Sequence, residues 1–299
     1  MDLSRAVSST IAYASYFKFP LYPREIHHWL ICSTTVAYEK LHTFLPSGLS
    51  KKDRLLRTQT TRYSEQKKSH AQKLIKVLKF LPGLLFVGLT GSVAANNSMK
   101  DDDIDLLFIT SPHALWLVRP WAIFLISLFF RRRHPLEDHA HSPDAFCPNL
   151  WLDTLSLNIP ESKRSLYTAH EILQIIPLLD RGGTYHLLLK SNSWAKKYLA
   201  NAYNSNIELS ASFRAKEFTR LGGRNLTPPT SVIARSKATW QSIPFLFILA
   251  PLNYLFYLIQ LLYMYPKKTS ETVHLHAAFL HTTDFSLMID QHLEDLDVI

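Results

Sequence analysis

Apolar and polar residues between positions 84 and 110 follow a pattern that predicts two strands joined by a tight turn. The segment Leu84–Leu89 is apolar and short enough for a buried strand. Gly91 and Ser92 then provide a turn without a bulky Cβ, where a phosphate could approach the backbone. A second strand begins around Asp103 and remains apolar to Ile109. We expect the other elements of the chain to be arranged around this stretch.

Asp103 and Asp105 stand at the start of the second strand, separated by one residue. Because side chains of a strand alternate between its two faces, both carboxylates are expected on one face, with Ile104 and Leu106 pointing into a core. Neighbouring carboxylates repel each other unless a cation lies between them, and their hard oxygen atoms suit Mg²⁺ or Mn²⁺. The spacing therefore predicts a divalent-metal site, although an acidic turn that caps the strand has the same composition.

These residues occur in the order Thr90-Gly91-Ser92, ten further residues, and then Asp103-Ile104-Asp105-Leu106. The order resembles the signature of the polymerase-β-like nucleotidyltransferase superfamily, in which an apolar residue and Gly-Ser precede two acids. Thr90 departs from that signature because it is less apolar than the family pattern. The resemblance implies that Gly91 and Ser92 hold the triphosphate of a nucleotide and that Asp103 and Asp105 bind Mg²⁺ or Mn²⁺.

A third carboxylate from a later strand usually completes the site in that family. Residues 149–159 predict a third strand or hairpin, and Asp153 is the only acid within it. Asp153 is therefore the candidate for a third metal ligand or for the base that accepts a proton. The polar Thr154 after it departs from the family pattern, and an aspartate that caps a turn is the alternative.

Residues 8–45 predict three short helices, at 8–16, 23–32 and 34–45, ahead of a basic connection. This arrangement resembles the winged-helix or helix-turn-helix modules of some bacterial nucleotidyltransferases, which implies a role in DNA recognition. The alternative is that these helices only pack on the domain that follows them.

Helical spacing predicts further helices at 65–81, 113–130, 165–179 and 185–198. The helix at 113–130 is expected to be the crossover connection between the strands on either side of it. In nucleotidyltransferases of this kind a later helical region shapes the acceptor pocket, which makes Tyr167, His170 and Glu171 candidates for groups near the site. Residues 200–243 are polar and predict a linker or a mobile loop.

Residues 244–265 are mostly apolar and long enough to cross a membrane. Pro251, Asn253 and Gln260 within this stretch favour a packed C-terminal helix or a helix that lies in a membrane interface. A membrane surface is therefore a candidate partner of this stretch, and a spanning helix remains the alternative.

The net charge of +9 is concentrated between residues 51 and 79, which hold ten lysines and arginines but only Asp53 and Glu65 as acids. Such a basic segment attracts polyphosphates, nucleic acid or an anionic membrane surface over a long range. A solvated face rich in lysine has the same composition. Segment 51–79 is therefore the candidate contact for nucleic acid.

A chain of 299 residues, 47% hydrophobic and 19% charged, is expected to be globular. Cys32 and Cys147 are too few for a disulfide framework and the N-terminus lacks the apolar core of a signal peptide, so we expect a reducing, cytoplasmic setting. His139, His141, Asp144 and Cys147 match no tight metal-binding spacing, so we predict a polar loop there rather than a zinc site. Walker and dinucleotide-binding glycine patterns are absent, as are local signatures of a serine or cysteine nucleophile.

Together these patterns predict an α+β protein, in which a nucleotidyltransferase-like domain with a mixed β-sheet is flanked by helical N- and C-terminal regions. The expected divisions are a helical, winged-helix-like module at 1–60, the nucleotidyltransferase-like domain at 65–190, and a mainly helical region at 191–299 with the apolar helix 244–265.

The resemblance implies a metal-dependent enzyme that moves a nucleoside monophosphate from a nucleoside triphosphate to an acceptor hydroxyl of RNA, a protein or a small molecule. The alternative is a non-catalytic protein that binds nucleic acid or a membrane and uses the nucleotidyltransferase fold as a scaffold.

Overall fold

The structure is a computed structural model that describes residues 2–134, 137, 142–220, 243–264, 272–280 and 285–296. Its described part contains six β-strands and ten α-helices, which confirms the predicted α+β class. The strands are β1 Leu84–Leu89, β2 Ile104–Thr110, β3 Phe146–Asp153, β4 Ile176–Asp180, β5 Thr272–His274 and β6 Ala277–Phe279. The helices are α1 Leu3–Tyr16, α2 Pro23–His28, α3 Lys51–Leu78, α4 Gly91–Ala94, α5 Leu115–Phe129, α6 Leu166–Leu173, α7 Thr184–Ser191, α8 Ala200–Arg220, α9 Ile243–Met264 and α10 Ser286–Asp295.

The six strands form one mixed sheet in the order β4-β1-β2-β3-β6-β5. Strands β2 and β3 are parallel, and every other neighbouring pair is antiparallel. A parallel pair needs a crossover, and α5 supplies it between β2 and β3, as the sequence predicts. Since β5 and β6 extend this sheet from the C-terminal region, that region is less purely helical than the prediction for 191–299.

The two faces of the sheet pack against different helices. Leu107 and Ile109 of β2 face a core that includes residues from α1, α6, α7, α8 and α10. Ile104, Leu106 and Phe108 face a second core, built mainly with α3, α4 and α5 and joined by α9. This alternation confirms that Ile104 and Leu106 point into a core. It also puts Asp105 on the face that carries α1 and α6.

The N-terminal region does not match the predicted winged-helix-like module. Described residues 2–50 contain α1, α2 and a 3₁₀-helix, Tyr38–Leu41, but no β-hairpin that could act as a wing. Ala12 and Tyr13 of α1 belong to the same core as the central strands. Helix α3 begins after its N-cap Ser50 and runs for 28 residues without a break. The expected division between 1–60 and 65–190 therefore falls inside one helix.

Two further predictions are wrong. The helix expected at 165–179 ends at Leu173, and residues Ile176–Asp180 form β4, which pairs with β1. A short apolar run such as Ile-Pro-Leu-Leu fits a strand and a buried helix equally well, so periodicity could not separate them. Part of the linker expected at 200–243 is the helix α8, Ala200–Arg220, while residues 221–242 lie outside the described part.

The polar residues of the apolar stretch 244–265 contact α5. Asn253 is buried, and its Oδ1 accepts a hydrogen bond from the backbone N–H of Trp116 at 2.9 Å. Gln260 accepts from Arg119 and donates to the carbonyl oxygen of Trp116. These contacts agree with the expected packed helix. In the described part of the chain, no helix has the length and apolar character needed to cross a bilayer.

Candidate functional site

Gly91 forms the turn between β1 and β2 in a left-handed backbone conformation, with φ of +60°. A Cβ atom at this position would lie 2.4 Å from Oδ2 of Asp105. Any other residue would therefore combine an unfavourable backbone conformation with a clash against the carboxylate. The glycine of the predicted Gly-Ser turn is what allows this turn and the acidic strand to touch.

Asp103 and Asp105 come together as the alternation predicts. A carboxylate oxygen of each residue and Sγ of Cys147 all lie within 4.8 Å of one another. Asp103 is buried, and its Oδ2 accepts a hydrogen bond from Nη1 of Arg133 at 2.7 Å, which forms an ion pair. The two acids therefore share a compact site with one thiol and one guanidinium.

The electrostatic environment of this site disfavours a second negative charge. Burial raises the pKa of Asp105 well above its ordinary value, and the charges of Asp103 and Glu171 add to this effect, while Arg133 opposes it. Burial also raises the pKa of the Cys147 thiol, with further contributions from the two aspartates. A bound cation would relieve the repulsion between these two adjacent carboxylates.

Asn149 reaches the site because β3 contains a bulge. The pairing of β2 with β3 shifts between Asp105, which is opposite Cys147, and Leu107, which is opposite Leu150. The extra residue in β3 changes the direction of the side chains near it, as bulges do. The Nδ2 atom of Asn149 consequently donates to Oδ1 of Asp105 at 2.5 Å. An amide of β3, rather than a third carboxylate, therefore contacts Asp105.

These donors fit a divalent ion that prefers oxygen ligands. The two carboxylates are ligands that Mg²⁺ and Mn²⁺ accept, whereas Asn149 turns its Nδ2 donor towards Asp105. The Cys147 thiol is a softer group, and its raised pKa keeps it protonated. We therefore regard Asp103 and Asp105 as the two residues that would hold the metal, with Asn149 beside them.

Asp153 is not part of this site, so its prediction as the third carboxylate is wrong. It lies opposite Thr110 at the far end of β3, six residues beyond Cys147. At the usual rise of a strand this separation is about 20 Å. Asp153 is fully buried there, and it accepts hydrogen bonds from the backbone N–H groups of His113 and Leu155. Its Oδ2 also lies 2.7 Å from Nδ1 of His276. It therefore behaves as the turn-capping aspartate that was the alternative.

Glu171 of α6 is the acid that the fold brings towards the glycine turn. Its carboxylate accepts a hydrogen bond from the backbone N–H of Gly91, and Gln174 donates to its Oε1 at 2.5 Å. Burial raises the pKa of Glu171 to about 7. The sequence signal for this residue was only its place in a helix after the third strand, because no local pattern ties residue 171 to residue 91.

A cavity of about 630 Å³ lies against the turn and the acids. Gly91, Ser92, Asp105 and Glu171 contribute polar groups to its lining. Much of the remaining wall is aromatic and comes from α1, the segment after α2, α6 and the start of α10: Tyr13, Phe17, Trp29, Tyr167, His170 and Phe285. A largely apolar pocket with a few convergent polar groups is typical of sites for small molecules and cofactors.

The predicted neighbours His170 and Tyr167 both lie in this wall. The His170 ring stacks on Tyr13, with 4.0 Å between centroids, and lies 5.1 Å from the ring of Trp29. Burial lowers the pKa of His170 to about 3, so the ring is neutral at physiological pH. The histidine is therefore an aromatic wall residue rather than a source of positive charge.

The loop between the turn and the acids is held by a buried lysine. Nζ of Lys67 donates to the carbonyl oxygens of Met99 and Asp102 at 2.7 and 2.6 Å. The Asp102 side chain accepts from the Ser92 hydroxyl at 3.0 Å and from the backbone N–H of Met99. Ser92 is thereby positioned beside the pocket through Asp102, and Lys67 fixes the loop that carries Asp102.

Two of the ten basic residues in segment 51–79 are structural. Lys67 is buried as described, and Arg57 is buried in a bidentate ion pair with Glu25. Seven others are exposed: Lys51, Lys52, Arg54, Arg62, Lys73, Lys76 and Lys79. The candidate contact for nucleic acid is therefore smaller than the composition alone indicates.

The possible zinc ligands between residues 139 and 147 do not all fall within the described part of the chain. His139 and His141 lie outside it. Cys147 lies beside Asp103 and Asp105 instead. Sequence reasoning had no signal for Arg133 or Asn149, because their roles depend on the register of β3 and on the chain before it.

Comparison of the chain with family models, with curated proteins and with solved structures found no match in any of the three. The resemblance to polymerase-β-like nucleotidyltransferases therefore depends on the motif and on the geometry described above.

Proposed function

We propose that the chain is a metal-dependent nucleotidyltransferase in which an acceptor hydroxyl attacks the α-phosphate of a nucleoside triphosphate, so that the nucleoside monophosphate is transferred and pyrophosphate leaves. The observation that carries this proposal is the contact between the Gly91 turn and Asp105 at a cavity of about 630 Å³. It joins, in one place, a backbone that a phosphate can approach and a pair of carboxylates that fits a divalent ion.

In this proposal the aromatic walls receive the base and ribose, and the backbone of Gly91 and Ser92 positions the phosphates. Asp103 and Asp105 hold Mg²⁺ or Mn²⁺. The bound ion supplies charge neutralisation for the phosphates and lowers the pKa of the acceptor hydroxyl.

Glu171 takes the role of proton acceptor that the resemblance implies for Asp153. Its position at the pocket, its hydrogen bond from Gly91 and its pKa of about 7 suit a general base that works near neutral pH.

The non-catalytic alternative is favoured by one observation, the ion pair between Arg133 and Asp103 at 2.7 Å. A guanidinium at this distance compensates the charge of Asp103 without a metal. In that case the pocket holds a nucleotide without reacting, and the exposed basic residues of segment 51–79 or the apolar helices bind nucleic acid or a membrane.

The test is incubation of the purified protein with each α-³²P-labelled nucleoside triphosphate, Mg²⁺ or Mn²⁺, and cell extract. The double variant Asp103→Asn/Asp105→Asn should transfer no label. Asp101→Asn is the matched control, because Asp101 lies in the same acidic run but is exposed. The chemical class of the labelled product, whether RNA, protein or small molecule, identifies the acceptor.

Label transfer by wild type and by Asp101→Asn, but not by the double variant, supports the enzyme. Absence of label with wild type, together with salt-dependent nucleic-acid binding that the double variant retains, overturns the enzyme in favour of the scaffold.

A further inference from the structure

Helices α5 and α9 pack against each other, and both present large apolar side chains to solvent. On α5 these residues are 54–61% exposed and recur at helical spacing: Trp121, Phe124, Leu128 and Phe129. On α9 they are 38–75% exposed: Leu252, Tyr254, Leu255, Leu258, Ile259, Leu262 and Tyr263. We call these eleven residues the apolar face. Exposed apolar patches of this extent mark interaction surfaces.

The polar residues of both helices are directed inwards and hold the pair together. Asn253 is fully buried against the backbone of Trp116, and Gln260 bonds both Arg119 and Trp116. Burial lowers the pKa of Arg119 to about 10. Helix α9 has no charged residue among its 22, and Arg119 is the only one in α5. The apolar face therefore contains no charge.

Basic residues lie at the end of α5, next to this face. Arg131 and Arg132 follow α5 after Phe130. The exposed Arg131 contacts Glu137 at 3.8 Å and donates a hydrogen bond to the carbonyl oxygen of Pro143 at 3.4 Å, both at the limit of such contacts. Phe130 contacts the ring of His70 on α3 with 5.7 Å between centroids. Lys73, one helical turn further along α3, is exposed. Cations therefore lie next to one end of the apolar face.

We propose that the apolar face docks on an anionic membrane surface, with α5 and α9 lying in the plane of the interface. Tryptophan, tyrosine and phenylalanine are the residues that partition into the headgroup region, and flanking Lys and Arg attract anionic lipids. An uncharged aromatic face with cations at one end matches this chemistry. The membrane therefore contacts the sheet face that carries α5 and α9.

This orientation leaves the pocket accessible. Tyr13, Tyr167 and Glu171 line the pocket from helices on the opposite face of the sheet. A docked molecule consequently presents its cavity to the aqueous phase or to a substrate that approaches along the membrane. The docking proposal does not depend on the chemistry at Asp103 and Asp105.

The experiment is co-sedimentation of the full chain with vesicles of phosphatidylcholine alone and of phosphatidylcholine mixed with phosphatidylglycerol. Wild type should bind the anionic vesicles more strongly. Trp121→Gln/Ile259→Gln should reduce the partition coefficient at least about tenfold. Leu287→Gln is the matched control, because Leu287 is exposed on α10, which packs against the opposite face of the sheet from α5 and α9. This substitution should have no effect on vesicle binding.

A second measurement keeps the apolar face intact, because its variant replaces tryptophan with another large apolar side chain. Vesicles with brominated acyl chains should quench the tryptophan fluorescence of wild type, and Trp121→Phe should lose most of that quenching.

Three results would overturn the proposal. The first is no binding to either vesicle, and the second is equal binding by wild type and the double variant. The third is a dimer without vesicles that Trp121→Gln/Ile259→Gln dissociates, combined with no quenching, which would assign the face to a second copy of the chain.

Discussion

Replacement of Gly91 by alanine tests the contact on which the site depends. Gly91 has φ of +60°, and a side chain in this left-handed conformation costs about 1–2 kcal/mol. The new Cβ would also lie 2.4 Å from Oδ2 of Asp105, so the carboxylate would have to move. Asn149 holds that carboxylate from the other side, and such overpacking costs about 1–3 kcal/mol. We expect Gly91→Ala to lower the free energy of unfolding by about 2–5 kcal/mol in total.

Gly83 provides the matched control. It also has a positive φ, +77°, but a Cβ there would meet Oγ of Ser111 at 3.2 Å, with no carboxylate nearby. Gly83→Ala should therefore lose little more than the backbone cost, about 1–2 kcal/mol.

Urea unfolding measures both free energies, and calorimetry with a nucleoside triphosphate and Mg²⁺ measures the pocket. Gly91→Ala should abolish nucleotide binding, whereas Gly83→Ala should retain it. Equal losses of stability in the two variants, or normal nucleotide binding by Gly91→Ala, would refute the reasoning.

Three other substitutions separate the roles of individual residues. The pKa of Glu171 is raised from its ordinary value of 4.5 to about 7 in the folded protein. Burial of this carboxylate therefore destabilises the folded state progressively as the pH rises from 4.5 through 7. The stability of Glu171→Gln relative to wild type should therefore increase by about 3 kcal/mol over that range in urea titrations, and a pH-independent difference would contradict this. Asp153→Asn leaves buried N–H donors poorly satisfied and should lower the free energy of unfolding by about 1–3 kcal/mol. Metal-dependent nucleotide binding should persist. Loss of that binding would show that Asp153 belongs to the site. Lys67→Met removes the donor to two carbonyl oxygens of the loop before Asp103, so thermal unfolding should show a loss of stability of about 1–3 kcal/mol. Calorimetry should show weaker nucleotide binding by this variant. Unchanged binding would mean that the loop does not depend on Lys67.

The parts of the site that the sequence predicts are local in the chain. β1, the Gly91 turn and β2 follow one another within 27 residues, so period-2 alternation and turn chemistry were sufficient to place Asp103 and Asp105 together. The same reasoning placed the crossover helix α5, since parallel strands require one. The pattern of apolar and polar residues therefore predicts a contact correctly where the two elements are neighbours in the chain.

The errors concern contacts that are distant along the chain. Asp153 is the last residue of β3, which runs parallel to β2. The register of this pair, with its bulge between Cys147 and Leu150, decides which residue of β3 lies opposite Asp105. Glu171 reaches Gly91 because α6 packs across the sheet face. Strand β4 was mistaken for helix because its pairing with β1 cannot be read from five residues.

The most direct test of the central claim is calorimetric titration of the protein with each nucleoside triphosphate, with and without Mg²⁺. If the Gly91–Ser92 turn and the Asp103/Asp105 pair form one metal-dependent nucleotide site, wild type and Asp101→Asn bind a nucleotide with Mg²⁺. Removal of the metal, or the double variant Asp103→Asn/Asp105→Asn, should weaken that binding at least about tenfold. Binding of no nucleotide by wild type, or equal affinity with and without metal and in the double variant, would contradict the account.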